Sequence, residues 1–226
     1  MKVYTGKPSI PNLGRFNYYV KKAKRHNWLS NNGKLLQLFK KKIQKKLKIK
    51  NFVFVTSGTT GIQLALKVLN VKKKVITTPF TFVATANAAK WLNLDIKFCD
   101  ISKHNLNLNS NHKDLNHLKK NDAIIPVHSF GIPADIEKFE KLRKKTKVIY
   151  DAAHCFGIQY KGKSILNFGD ASVVSLHATK VFNTCEGGIV VFKKTRDYKL
   201  AEKLSNLGSE GKEYSKGDGI NMKMNE

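Results

Sequence analysis

The sequence predicts an α/β fold with a mostly parallel, seven-stranded sheet covered by helices. Short apolar runs recur at 52–55, 75–78, 96–100, 123–127, 148–151, 171–176 and 189–192, each the length of a strand. Three of the six segments between them carry apolar residues at helical spacing. Strands separated by helices need crossover connections, and crossovers give parallel sheets covered on both faces. Only a loop separates the last two runs, so one antiparallel pair is expected there. In such sheets ligands bind at the carboxyl ends of the strands.

The elements follow in order. The first 33 residues read as irregular, because Pro8 and Pro11 break regular structure and Trp28 to Gly33 has the composition of a turn. Leu35, Leu36, Phe39, Ile43 and Leu47 then recur with lysines between them, which predicts an amphipathic helix with a basic outer face. Residues 1–50 are thus expected as an N-terminal segment and helix, and residues 51–226 as the main ligand-binding domain. After the strand at 52–55, Ile62, Ala65, Leu66 and Leu69 mark a helix, and Phe82 to Leu92 reads as the next. Ser102 to Asn121 is polar, with one short helix expected near Asp114 to Leu118. Its His104, His112 and His117 match no metal-ligand spacing and read as solvated loop. Pro133-Ala134-Asp135 opens a helix with Ile136, Phe139 and Leu142 on one face. Gly208 to Gly219 reads as a mobile, glycine-rich loop.

Composition bounds the function. The 226 residues are 41% hydrophobic, with 13 Phe, enough for one large core. No apolar run approaches a membrane span, and the first five residues lack the apolar core of a secretory leader. Three cysteines without paired spacing point to a reduced, cytoplasmic compartment. The net charge of +26 invites a nucleic-acid reading. However, only four of the 42 basic residues are Arg, the lysines are spread along the chain, and no zinc-finger or aromatic RNA-binding signature occurs. No specific nucleic-acid partner is expected, although polyanions and anionic substrates would be attracted.

The carboxyl ends of the predicted strands carry the chemistry. The first leads into Ser57-Gly58-Thr59-Thr60-Gly61 at a helix start, where small residues let backbone N–H groups close on an anion. The same turn also fits a plain Ser or Thr cap. It is neither a P-loop nor a dinucleotide fingerprint. The second leads to Pro79-Phe80-Thr81-Phe82, an aromatic that can stack on a flat ring or serve as core. The fifth ends in Asp151-Ala152-Ala153-His154; the carboxylate can bond a protonated ring nitrogen or cap a helix. The sixth leads to Ser175, His177 and Lys180 on a loop between two core strands. Partial burial there lowers a lysine's pKa and frees the amine as a Schiff-base nucleophile. A phosphate cradle, a stacking aromatic, a ring-nitrogen carboxylate and a nucleophilic lysine are together the parts of a pyridoxal 5'-phosphate site.

These stretches resemble one family. Thr56 to Thr59, Pro79 to Thr85, Pro126-Val127-His128, Asp151 to His154, Ser175 to Lys180, Gly187-Gly188 and Gly219 to Glu226 are similar, in this order, to the motifs of the DegT/DnrJ/EryC1/StrS sugar aminotransferases. The resemblance implies the large domain of a fold type I, aspartate aminotransferase-like, pyridoxal-phosphate-dependent transferase. It implies that Lys180 carries the cofactor, that Asp151 pairs with its pyridine nitrogen, and that Phe82 stacks on its ring. Ser57, Gly58, Thr59 and Ser175 would hold its phosphate, His154 would lie beside it, and Asn221 would reach the phosphate of a neighbouring subunit in a homodimer with shared sites. A related dehydratase branch has His where this chain has Lys180, so the resemblance implies transamination: from an amino acid, glutamate by resemblance, to a 4-keto-6-deoxy nucleotide sugar for surface polysaccharide synthesis. Trp28 to Gly33 and His177 to Thr184 look most like members acting on a dTDP-linked sugar, with the amine at carbon 3 or carbon 4 left open. Family members continue past the motif that ends at Glu226, so a small C-terminal domain is expected to be absent here. An inactive or split fragment acting only with a partner chain is the alternative expectation.

Overall fold

A computed structural model describes residues 6–209 and 217–226. Its sheet is built from β1 (Phe52–Val55), β2 (Lys74–Thr77), β3 (Asp95–Phe98), β4 (Ala123–Ile124), β5 (Lys147–Asp151), β8 (Ala171–Ser175) and β9 (Gly188–Phe192). Their spatial order is β1-β9-β8-β5-β4-β2-β3. All seven expected strands are present. The expected single antiparallel pair is two pairings, because β9 inserts between β8 and β1 and runs against both. The fourth strand is shorter than its apolar run. Pro126 lacks an N–H, so the ladder stops at Ile124 and resumes only as a bridge from Val127 to Asp151.

Alternation along the strands sorts side chains to two faces. Phe52, Phe54, Ile124, Val148, Tyr150 and Val174 share one core layer with Ile43 and Leu47 of α2 (Lys34–Leu47). Val53, Val55, Val75, Ile125, Ile149 and Val173 share the other with α3 (Gly58–Val68), α4 (Ala84–Lys90) and α6 (Thr195–Leu204). Helix α5 (Ile136–Leu142) buries Ile136 and Phe139 in the first layer. The seat of α3 is tight. A Cβ on Gly61 would sit 2.8 Å from Val173 Cγ1, and one on Gly188 would sit 2.8 Å from the Ser57 backbone.

Several expectations are corrected. Residues 13–25 are not irregular but helix α1 (Leu13–Arg25), capped by Asn12, whose side chain accepts from Arg15 N at 3.1 Å. Only Ala23 of this helix is buried, although Leu13, Phe16, Val20 and Ala23 recur at helical spacing. The hairpin β6 (Gln159–Tyr160) and β7 (Lys163–Ser164) and helix α6 were not anticipated. Two-residue strands and a helix burying chiefly Asp197 and Ala201 leave little periodicity to read. The polar tract 102–121 is more than solvated loop, since it buries Asn107, Leu108, Leu115 and Leu118 and holds a 3-10 turn at Lys113–His117. Of its three histidines, His112 lies with Cys99 and Asp114, their ligand-type atoms within 4.8 Å of one another, while Lys97 holds Asp114 at 2.9 Å. Most of the expected loop at 208–219 lies outside the described residues, as do residues 1–5.

The segment 220–226 laces the molecule together. Met222 accepts from Thr56 N and donates to Ser205 O, each at 3.0 Å. Helix α2 begins at Gly33 with no side-chain cap and no acidic residue in its first turn. The Glu226 carboxylate takes that part, accepting from Leu35 N at 2.8 Å and Leu36 N at 3.3 Å. Glu226→Ala should therefore lower stability by about 1 kcal/mol, the usual worth of a cap. Urea unfolding would read this as a lower midpoint at unchanged slope.

Candidate active site

At the carboxyl end of β1 the chain turns directly into α3. Ser57 caps this helix: its hydroxyl accepts from Thr60 N at 3.1 Å, and Thr60 Oγ1 accepts from Ser57 N at 3.1 Å. The capping box is thus real, and it leaves the Gly58 and Thr59 N–H groups facing the positive end of the helix dipole. A Cβ on Gly58 would stand 3.2 Å from Ser175 Cβ, so glycine lets the helix start meet the end of β8. Backbone donors of α3 and the Ser175 hydroxyl consequently border one concavity.

Asp151 ends β5 and is 6% exposed. No helix starts there, so the capping alternative fails. Its Oδ2 accepts from Thr85 Oγ1 at 2.6 Å and its Oδ1 from Ala153 N at 3.1 Å. Thr85 in turn meets Thr81 at 2.9 Å between hydroxyls. Phe82 precedes α4 rather than beginning it and is 78% exposed, so it is no core residue. It lines the cavity instead.

Lys180 sits on the loop between β8 and β9, its N–H bonded to His177 O at 2.9 Å. Burial pushes its amine below the ordinary lysine value, and the nearby Asp151 carboxylate opposes that shift. No ion pair closes between the two among the described residues, so they face one another across open space. His154 is also pushed down, first by burial and then by the Lys180 charge, again opposed by Asp151. His177 pairs with Glu186 at 3.5 Å and with Thr179 Oγ1 at 3.0 Å.

These side chains surround a cavity of about 830 Å³ at the carboxyl edge of the sheet. Ser57, Gly58, Thr59, Phe82, Asp151, His154, Ser175 and Lys180 all line it. Asn221 does not: it is exposed and bridges Asn206 beyond the end of α6. A second cavity of about 720 Å³ between α2 and α6 gathers none of the sequence-predicted site residues. Sequence reasoning missed Thr85, Thr81, Phe130 and Glu186 at the first cavity. Thr81 and Thr85 carried a signal, since residues four apart at a helix start share a face. Nothing in the sequence marked Phe130.

The family model for the "DegT/DnrJ/EryC1/StrS aminotransferase family" matches residues 14–226. The chain belongs to this family. Over 208 residues it is 35% identical to a dTDP-4-amino-4,6-dideoxy-D-glucose transaminase of Shigella dysenteriae, covering 91% of this chain and 57% of that protein. It is 31% identical to a GDP-perosamine synthase of Escherichia coli O157:H7, covering 90% of this chain and 56% of that one. Among solved structures, DesI in the presence of its TDP-sugar product superposes with a TM-score of 0.90 at 29% identity, over 98% of this chain and 57% of that chain. The large-domain, fold type I architecture expected from the sequence is therefore present, and the chain spans less than two thirds of the length of these relatives.

The lowered amine of Lys180 yields a direct expectation. A lower pKa means a larger neutral fraction at any pH below the ordinary lysine value. Reductive methylation followed by peptide mapping should give Lys180 a half-maximal labelling pH below that of exposed lysines such as Lys42. Asp151→Asn removes the opposing charge and should move that midpoint further down. A Lys180 midpoint equal to that of Lys42 would contradict the environment described.

Proposed function

We propose that this chain is the cofactor-binding domain of a pyridoxal-phosphate-dependent aminotransferase that aminates a keto nucleotide sugar. The observation that carries the reading is the convergence of Lys180, Asp151 and the α3 N-terminus on one cavity at the sheet's carboxyl edge. The residues fit the cofactor. The close approach of Gly58 to Ser175 leaves a cradle that a Cβ would narrow, at a helix start suited to an anion. Buried Asp151 offers its carboxylate toward the cavity, where a protonated ring nitrogen would supply its counter-charge. Exposed Phe82 offers an aromatic face beside it.

When bound, the cofactor supplies an electron sink that makes the α-proton of an amino acid removable. The chain's residues do the rest. Gly58 and Thr59 N–H groups and the Ser175 hydroxyl bind the phosphate. Asp151, oriented by Thr85, holds the proton on the ring nitrogen. Lys180 Nζ is the point of covalent attachment in the resting protein. Once released, the amine takes a proton from the donor's α-carbon and returns it as ammonium, and its depressed pKa suits both roles. Phe82 packs on the ring face and excludes water, and His154 lies beside Lys180 as a neutral imidazole.

The finer assignments extend this reading. The dTDP-sugar and GDP-sugar names of the relatives support a nucleotide-sugar acceptor, with a dTDP-linked 4-keto-6-deoxy sugar favoured by the 35% relative. Glutamate is the proposed amino donor. Asn221 lies away from the cavity of its own chain, which fits service to the phosphate of a second copy in a homodimer. We place the protein in the cytoplasm; no helix among the described residues is long and apolar enough to cross a membrane.

The test begins with the protein purified in pyridoxal phosphate, reduced with borohydride and mapped by mass. One pyridoxyl adduct on Lys180 is expected, and Lys180→Ala should lose the adduct while unfolding at a similar temperature. Adducts scattered over surface lysines, with none enriched at Lys180, would sink the proposal. Asp151→Ala removes the carboxylate that accepts from Thr85, leaving that hydroxyl only Thr81, and removes the ring-nitrogen contact. It should weaken cofactor retention on dialysis at least tenfold.

A further inference from the structure

The mouth of the cavity holds one residue whose backbone conformation is costly. Phe130 has φ 54° and ψ 22°, and Gly131 follows at φ 81°. Together with the Ile132 N to Ser129 O bond of 2.9 Å, this is a mirror-image turn that ordinarily takes Asn, Asp or Gly at both central positions. A bulky aromatic there is strained, and such strain persists only where the surroundings impose it. Here they do. Buried Asn107 accepts from Ser129 N at 2.8 Å and donates to Ile132 O at 3.0 Å. Buried His128 accepts from Ala134 N at 3.0 Å through Nδ1 and donates its own N–H to Asp151 O at 2.9 Å.

The imposed strain does not serve the core. The Phe130 side chain is held out at the mouth, 69% exposed. Its ring meets Phe80 edge-on at 6.2 Å and 65°, and lies near-parallel to His154 at 6.2 Å and 17°. His154 is near enough to Lys180 and Asp151 to feel both charges. Phe130 thus stands one ring contact from His154, and both line the same cavity as Lys180. A nucleobase is separated from the reacting sugar carbon by a diphosphate and a pentose, too far to be the part that meets it.

We propose that Phe130, with Phe80 at its edge, is a specificity-determining residue that packs against the deoxy carbon of the acceptor's hexose. This rests on the nucleotide-sugar reading above. The two Phe rings present no hydrogen-bond partner, so a hydroxyl on that carbon would lose its water uncompensated, whereas a methyl would not. Apolar contacts of this kind discriminate by roughly 10- to 200-fold.

The test uses two unreactive probes differing in one hydroxyl, dTDP-6-deoxyglucose and dTDP-glucose, titrated calorimetrically into the cofactor-loaded chain. The parent should prefer the deoxy sugar by about tenfold. Phe130→Gly should bring the preference below about twofold, leave binding of dTDP alone unchanged and keep the Lys180 adduct. Because glycine relieves the left-handed backbone, the same variant should also melt roughly 2 °C higher. A ring that merely held the loop together would give the opposite shift. Retained preference in Phe130→Gly, or lost preference with a lower melting temperature, overturns the assignment. A parent that binds both sugars equally overturns it too, leaving the nucleotide-sugar reading intact. A parent that carries the Lys180 adduct yet binds neither sugar overturns that reading and this assignment with it.

Discussion

The molecule depends on how closely α3 is seated on the β1–β9–β8 edge of the sheet. Gly61 and Gly188 let helix and strands approach to distances that any side chain would prevent. That approach does two things at once. It closes the second core layer around Val55, Val173 and Val190, and it brings the first turn of α3 against Ser175. The packing that stabilises the domain therefore also sets the Gly58–Ser175 approach that borders the cavity. Because β9 runs against β1 and β8, it enters the sheet beside the helix start, where Gly188 meets the Ser57 backbone without a side chain between them.

Around that cradle, polar groups are fixed by other polar groups. Asp151 would be costly to bury alone, but Thr85, Ala153 N and the charge of Lys180 compensate it. The buried Asn107 and His128 do the same for the turn that carries Phe130. Burial holds His128 neutral by pushing its pKa down to about 3, so its Nδ1 stays an acceptor for Ala134 N across the physiological range. Rigid supports of this sort let a site hold unfavourable conformations, because the loop has no relaxed alternative that keeps its buried donors paired.

The sequence was informative where burial and periodicity coincide. Six of the seven strands bury most of their side chains in the two packed layers and so read as apolar runs, edge strand β3 being largely exposed, and the candidate site residues lie at strand ends. It was silent where they diverge. Helix α1 places Leu13, Phe16, Val20 and Ala23 at helical spacing but buries only Ala23, while Pro8 and Pro11 just before it spoke for irregular chain. The tract 102–121 looked solvated because Asn107, its key residue, is polar yet fully buried as a brace. Phe130 was invisible for a deeper reason. A left-handed backbone is ordinarily read from Gly or Asn, and a phenylalanine in that conformation contradicts the local rule that would reveal it.

The terminal segment shows how few residues can serve both framework and site. Met222 is buried, its backbone bonded to Thr56 just past β1 and to Ser205 just past α6, while its exposed neighbour Asn221 does not line the chain's own cavity. Two bonds from Glu226 fix the start of α2. Asn221, whose side-chain oxygen accepts from Lys223 N at 3.4 Å, is thus displayed from a stretch that cannot move without unpairing Thr56, Ser205 and Leu35. Thr56 immediately precedes the cap of α3. The terminal segment is thereby tied, through the Met222 carbonyl and Thr56 N, to the residue just before the α3 cap and two positions from Gly58.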